Sequence, residues 1–415
     1  MKILVTSARA PHALAVIRSM GERGHEVVAG DSTRLAMGAY SKFVTRRFWY
    51  PSVTERPAAF LAALEAELQR ERYDLLFPTF EEIFLIARQR ERFAALTNLI
   101  VPSYAELMAV HNKGSLARLC REHQIPTPDT IHPQSLTELE QLAPGLRYPV
   151  AIKLVEGNNS TGLSYADDAA TLLARYRKLV SFFKLEAPYL PLVQRKVDGE
   201  MIYTLFLADH GEIVGQLIYR PLRMFPESGG TAFHREAIRH PAAEEASAKF
   251  IRALNWHGFI GFDFIVDEVG QPQLIDVNPR PNPAYNTGLA AGIDFTGQFL
   301  EMLAGRRPAP QIAAREGTRS LMFFVECLWF VFAQMPGKDY VRRVKNVWRW
   351  MFRRGEFVGD VHRSYDRLPS LILWLYTNYF MFIINTIKPN KGGFMFGCNY
   401  DRALSDRLLP AAKHE

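Results

Sequence analysis

The first hundred residues switch repeatedly between two hydrophobic periods. Ile3-Leu4-Val5-Thr6 is a short apolar run, and His12 to Arg23 has the three-to-four spacing of an amphipathic helix that Gly24 ends. Glu26 to Ala29 is apolar again and stops at Asp31. A helix from Arg56 to Arg70 and a strand from Asp74 to Pro78 continue the pattern, which closes near Val101-Pro102. Strands alternating with helices predict a parallel, doubly wound sheet of the α/β class. No G-x-G-x-x-G follows the first strand, which argues against a nicotinamide cofactor.

Helical text from Tyr104 to His123 is broken by Ile125-Pro126-Thr127-Pro128. Tyr148-Pro149-Val150-Ala151-Ile152-Lys153-Leu154 then reads as a short apolar strand with a lysine inside it. An unpaired ammonium is costly in a buried strand. Lys153 therefore either snorkels from an edge strand or is aimed at an anion. The small, flexible stretch Glu156-Gly157-Asn158-Asn159-Ser160-Thr161-Gly162 follows directly, and glycines of this kind let backbone N–H groups close on phosphate oxygens. Another strand, Leu192-Val193-Gln194-Arg195-Lys196-Val197, ends in the turn Asp198-Gly199-Glu200.

Two further β-rich runs, Gly258 to Phe264 and Leu274 to Asn278, flank a turn around Gly270 and predict a hairpin. Asp263, Asp276 and Asn278 can then present oxygens to one point, the hard donor type that Mg²⁺ takes when it bridges nucleotide phosphates. Arg280 follows at once, and a fixed guanidinium there suits a substrate that gains negative charge during reaction.

Charge and composition divide the chain. Residues 315–415 hold 16 Lys and Arg against 9 Asp and Glu, which leaves 34 against 34 in the first 314 residues. The whole basic excess of +7 thus lies in the last quarter, which is expected to meet a different partner or solvent. Ser320 to Met335 is apolar and aromatic, Leu368 to Ile387 carries no charge, and Lys338 to Arg367 between them is basic with Trp348 and Trp350. That arrangement suggests an interfacial helix over an anionic membrane surface, through residues 315–400. A helical cap on the preceding domain is the alternative, and no nucleic-acid module accompanies the basic stretch. Three scattered cysteines and the absence of a signal-peptide pattern point to a reducing, cytoplasmic setting, peripheral on the inner face of a membrane.

Taken in order, these motifs resemble the ATP-grasp superfamily, in the carboxylate–amine ligase group related to D-alanine–D-alanine ligase, biotin carboxylase and carbamoyl-phosphate synthetase. The resemblance covers roughly residues 1–310. It implies an α+β ATP-grasp fold. A Rossmann-like pre-ATP-grasp domain would span 1–105, a two-lobed ATP-grasp domain 106–314, and a helical, basic and aromatic extension 315–415.

By position, the resemblance assigns Lys113 and Lys153 to the ATP phosphates, with Lys153 also catalytic, and Gly157, Ser160, Thr161 and Gly162 to the covering loop. Gln194, with the backbone of Lys196 and Val197, matches the adenine hinge, and Glu200 matches the ribose carboxylate. Asp263, Asp276 and Asn278 match the ligands of Mg²⁺, with Mn²⁺ as its substitute. Arg280 matches the arginine that steadies the acyl-phosphate and the tetrahedral state. Two positions depart from the pattern: Asp276-Val277-Asn278 stands where Glu-x-Asn is usual, and Arg195 where the hinge usually has Glu.

The implied activity is an ATP-dependent ligase that converts a carboxylate to an acyl-phosphate and joins it to an amine, on small-molecule or lipid-linked substrates. A carboxylase or thiol ligase shares the first half-reaction, and a non-catalytic, membrane-tethered ATP-binding module is the rival from another class. Substrate contacts are expected from Arg9 and His12 in the first loop, and from Arg223, Ser228, Gly229 and Gly230 with Thr231. His234 and His257 have no partners at metal-ligand spacing and are read as structural.

Overall fold

The computed structural model describes residues 1–157, 162–225, 231–322, 357–379 and 398–409, with Val341 and Met395. Fifteen strands among the described residues form three sheets. The first holds β1 (Lys2–Val5), β2 (Glu26–Asp31), β3 (Val44–Trp49) and β4 (Leu75–Phe77), parallel throughout, in the order β3-β2-β1-β4. Successive side chains on a strand point to opposite faces. Ile3, Val5, Val27, Ala29 and Phe77 accordingly enter one core, while Leu4, Val28 and Leu76 enter another with Phe60 and Leu64 of the helix Pro57–Arg70. Both faces of β1, β2 and β4 are covered, which is why these strands are largely apolar runs, whereas β3 at the edge carries Thr45, Arg46 and Arg47.

A small antiparallel sheet follows, made of β5 (Thr130–Ile131), β6 (Val150–Lys153), β7 (Ser164–Ala166) and β8 (Leu192–Arg195), in the order β5-β8-β6-β7. Val150, Ile152 and Val193 pack on Leu139 of the helix Leu136–Leu142 and on Leu172 and Tyr176 of the helix Ala169–Phe183. By alternation Lys153 and Gln194 fall on the other face.

The central sheet has seven strands, in the order β13-β12-β9-β10-β11-β14-β15. They are β9 (Glu200–Asp209), β10 (Glu212–Phe225), β11 (Thr231–Ile238), β12 (Gly258–Val266), β13 (Pro272–Asn278), β14 (Arg319–Leu321) and β15 (Val358–Gly359). Leu205, Leu207 and Phe259 on one face share a core with Ile3, Val5 and Phe77 of the first sheet. Phe206, Ile260 and Phe262 on the other face pack on Leu107, Leu116 and Phe250 from the flanking helices. The two sheets are therefore held together by apolar packing, with the small sheet to one side.

Two predicted elements differ in detail. The helical text from Tyr104 to His123 is two helices, Tyr104–His111 and Lys113–Glu122, because Asn112 leaves the helical conformation and its side chain caps the second helix at Ser115 N–H (3.0 Å). The basic extension contributes β14 and β15 to the central sheet as well as helices, Leu368–Tyr379 and Arg402–Leu408 among them. Its tryptophan-bearing stretch from Lys338, including Trp348 and Trp350, lies outside the described residues, as do most of the apolar run Ser320–Met335 and the second half of Leu368–Ile387.

Candidate active site

The hairpin β12–β13 turns at Asp267 to Gln271, where Gly270 takes the left-handed conformation (φ 80°) and its N–H donates to the Asp267 carbonyl. Asp263 pairs directly with Asp276 and Gly261 with Asn278. A bulge interrupts the register between Asp263 and Phe264, so that Leu274 and Val277 both enter the helix-packed core. Asp276 and Asn278 are thereby left on the face that carries Asp263. The Asn278 amide lies 3.4 Å from Asp263 Oδ1. Gly261 allows the close approach: a Cβ there would stand 2.8 Å from the Thr204 carbonyl.

Cations surround this oxygen cluster. Lys113, the first residue of its helix, has Nζ 3.2 Å from Asp276 Oδ1 and 3.2 Å from the Gly157 carbonyl, while its N–H holds the Val155 carbonyl at 2.9 Å. Arg280 is buried, with Nη2 3.3 Å from Asn278 Oδ1 and its guanidinium 4.3 Å above the Phe80 ring. Burial pushes the Asp263 carboxyl up to about 8, with the Asp276 charge adding to it. Burial, then the neighbouring Lys113 charge, brings the Lys153 ammonium down to about 8. Two facing carboxylates and an amide make an all-oxygen donor set whose mutual repulsion a divalent cation would relieve.

Gln194 behaves differently from a ligand-facing hinge residue. Its Oε1 accepts from Lys153 Nζ at 2.6 Å and its Nε2 donates to Thr130 Oγ1 at 2.9 Å, so its amide orients the lysine. The Lys196 N–H is taken by the Pro149 carbonyl (3.0 Å), and Lys196 Nζ pairs with Asp198. Val197 is buried, and Glu200 is exposed at the start of β9. Gly157 and Gly162 both have positive φ (149° and 70°) and bracket Ser160 and Thr161, which lie outside the described residues. Arg223 lies at an irregular point of β10, opposite His234. Ser228, Gly229 and Gly230 are outside the described residues, as is the Thr231 side chain.

The two first-loop residues have partners within the protein. Arg9 is buried against Asp31, with Nε 2.9 Å from Oδ1, and also donates to Ser32 Oγ and Tyr376 Oη. A buried guanidinium without its carboxylate would be too costly, and Asp31 ends the adjacent strand. His12 is buried too, its Nε2 2.8 Å from the Thr79 carbonyl. Burial and the Arg280 charge press its imidazole down to about 3, so it is a neutral support beneath Phe80, 6.3 Å between rings.

Sequence reasoning missed the acids after β4. Glu82 accepts from Thr6 Oγ1 and Ser7 Oγ (both 2.6 Å) and from the Thr79 N–H (2.9 Å), which fixes the turn. Glu81 is buried with Oε1 4.0 Å from Arg280 Nη2, and burial raises its carboxyl to about 7 despite that guanidinium. Two acids just past the carboxyl end of a parallel strand were a usable signal, since ligands approach such sheets from that end. His257 also gains neighbours that sequence spacing concealed: its Nδ1 is 3.1 Å from Asp209 Oδ1 and its ring stacks on His210 at 4.2 Å and 13°. Asp209, His210 and His257 thus bring one ligand atom each within 4.8 Å of one another, a grouping that the sequence spacing did not show.

Residues 110–283, from the end of the helix Tyr104–His111 to just past Arg280, match the ATP-grasp domain family. The chain carries an ATP-grasp domain. No curated protein sequence is similar enough to match it. Among solved structures it is similar to the biotin carboxylase domain of 2-oxoglutarate carboxylase from Hydrogenobacter thermophilus, in complex with MgADP and bicarbonate, at 18% identity and a TM-score of 0.62 over 77% of this chain and 73% of that one. The L-amino acid ligase of Bacillus licheniformis is 17% identical with a TM-score of 0.58, over 77% and 78% of the two chains. N5-carboxyaminoimidazole synthetase from Staphylococcus aureus with ADP is 15% identical with a TM-score of 0.60, over 76% and 80%. At these identities the likeness is one of fold. Asp263, Asp276 and Arg280 lie within the ATP-grasp segment, whereas Glu81 and Arg9 precede it.

Proposed function

We propose that the protein is an ATP-dependent ligase that activates a carboxylate as an acyl-phosphate and transfers the acyl group to an amine. The observation that carries the reading is the convergence of Asp263, Asp276 and Asn278 with Lys113 and Arg280 at one end of the β12–β13 hairpin. Phosphoryl transfer is chiefly positioning and charge neutralisation, and these groups supply both. Lys113 and Lys153 hold the phosphates together with the loop from Gly157 through Ser160 and Thr161 to Gly162. Adenine meets the hinge of Gln194 with the backbone of Lys196 and Val197, and Glu200 receives the ribose. Asp263, Asp276 and Asn278 would hold Mg²⁺, or Mn²⁺ in its place, which supplies charge neutralisation at the phosphates when bound.

In the first step a carboxylate oxygen of the acid attacks the γ-phosphorus and ADP leaves. In the second the amine attacks the acyl carbon, phosphate leaves and the amine gives up a proton. Arg280 faces the oxygens on which charge accumulates in both steps. Arg223 and the turn Ser228, Gly229 and Gly230 are assigned to the substrate side. The domain division at 105/106 and 314/315 belongs to the same reading.

The test is release of ADP and phosphate over panels of acids and amines, with mass spectrometry of the product. Amine-dependent ADP release with an amide product supports the ligase. Turnover that requires bicarbonate or a thiol instead makes the enzyme a carboxylase or thiol ligase, and ATP binding without turnover on any panel favours the non-catalytic module.

A membrane-surface setting has one specific support. The helix Leu368–Tyr379 buries Ile372, Leu373 and Tyr376 and exposes Leu368 (45%), Leu371 (52%) and Leu375 (39%). No helix among the described residues is long and apolar enough to cross a membrane. Co-sedimentation with anionic but not neutral liposomes, weakened by salt, is the expected result. A chain that stays in the supernatant with both lipids makes this helix a cap.

A further inference from the structure

Residues 398–409 lie far outside the ATP-grasp segment, yet they bind both walls of the candidate site. The Tyr400 N–H donates to Glu81 Oε2 at 2.6 Å, the carboxylate whose other oxygen faces Arg280. The Tyr400 ring stacks on Phe84 (4.9 Å, 21°), and its hydroxyl meets that of Tyr104 at 2.8 Å. Two residues on, Arg402 Nη1 lies 3.2 Å from Glu156 Oε1, and its guanidinium stands 5.8 Å from the Tyr189 ring.

Glu156 is the key to this contact. It directly precedes Gly157, whose carbonyl holds Lys113 Nζ, and follows Val155, whose carbonyl holds the Lys113 N–H. Its Oε1 also accepts from Asn112 Nδ2 at 3.2 Å, and Asn112 caps the helix that Lys113 begins. A largely buried carboxylate in this place would repel incoming phosphates and compete with them for the Lys113 ammonium. Asn112 satisfies it but brings no charge. Arg402 brings the charge.

We propose that Arg402 is a positioning residue of the nucleotide site, which neutralises Glu156 and so keeps Lys113 and the Val155–Gly157 backbone set for phosphate. The inference rests on the ATP-binding reading above and extends it to a segment of the chain beyond the ATP-grasp domain.

Titration calorimetry of the full-length chain with MgATP tests it. Arg402→Gln should weaken MgATP binding by about tenfold, the scale of a lost charge-assisted hydrogen bond in a partly exposed pair. The double variant Glu156→Gln with Arg402→Gln should recover most of that loss, because no carboxylate is left to neutralise. Thr54→Val, which removes the hydroxyl that holds the Asn399 carbonyl of the same segment and touches neither Glu156 nor Arg402, should lower thermal stability and leave the affinity unchanged. If Arg402→Gln does not fold, Arg402→Lys, which keeps the charge and loses the fork, is compared with the same double variant and should lie between it and the wild type. Wild-type affinity in Arg402→Gln, equal weakening in Thr54→Val, or no recovery in the double variant would each overturn the proposal while leaving ATP binding in place. A wild-type chain that binds no MgATP would overturn the ligase reading itself.

Discussion

Asp263 and Asp276 are direct cross-strand partners, two carboxylates facing one another on the same side of a hairpin. Like charges opposed in this way destabilise a sheet unless something else uses them. Burial and the Asp276 charge raise the Asp263 carboxyl to about 8, which favours its protonated form at neutral pH. Cation binding must displace that proton. Mg²⁺ or Mn²⁺ affinity should therefore rise with pH up to about 8 and level off above it, with release of up to one proton per ion below that point. Asp263→Asn should remove the pH dependence along with most of the affinity, as measured by Mn²⁺ titration. Equal affinity at pH 6 and pH 9 would exclude Asp263 as a ligand.

Lys153 gives the opposite sign for nucleotide. With its ammonium lowered to about 8 by burial and Lys113, it is charged below that pH and neutral above it. Bound phosphates favour the charged form and raise the value. Metal-free ATP should thus bind best below pH 8 and progressively more weakly as pH rises through 8, with proton uptake on binding. Lys153→Met should bind weakly at every pH. A calorimetric proton balance in two buffers of different ionisation enthalpy reads this directly.

Arg280 stands among Asn278, Glu81 and the Phe80 ring, held before any substrate arrives. Preorganised donors of this kind act on the transition state more than on the bound substrate. Arg280→Ala should lower kcat by about 10² or more with little change in the affinity for MgATP. Steady-state kinetics beside a binding titration separates the two. A normal kcat would reduce Arg280 to a structural partner of the strands.

The Arg9–Asp31 pair is nearly inaccessible on both sides (3% and 0%). Removing one partner from a buried pair leaves the other charge uncompensated, at a cost of about 3–5 kcal/mol. Asp31→Ala should accordingly lower the denaturant midpoint sharply, while Asp31→Ala with Arg9→Met should recover part of the loss. A substrate-binding Arg9 would show the reverse, with stability unchanged and affinity lost.

The sequence by itself determined the elements and the residue types of the chemistry. Apolar runs of period two and of period 3.6 mark the first sheet and its helices, and Lys153 in an apolar strand marks a charge that a core would not tolerate. The hairpin around Gly270 was legible too, because turn and strand signals are local. What local patterns do not carry is which side of β13 faces the site. In a regular strand Asp276 would share a face with Leu274, and only the bulge opposite Asp263 turns Leu274 and Val277 to the helices and Asp276 to Asp263. Nor could the sequence tell that Arg9 is spent on Asp31, that Glu81 stands behind Arg280, or that Arg402 meets Glu156 from 246 residues away. Those pairings depend on how the sheets pack and on where the chain returns. A buried charge takes the partner that packing brings to it, and that choice is made in three dimensions.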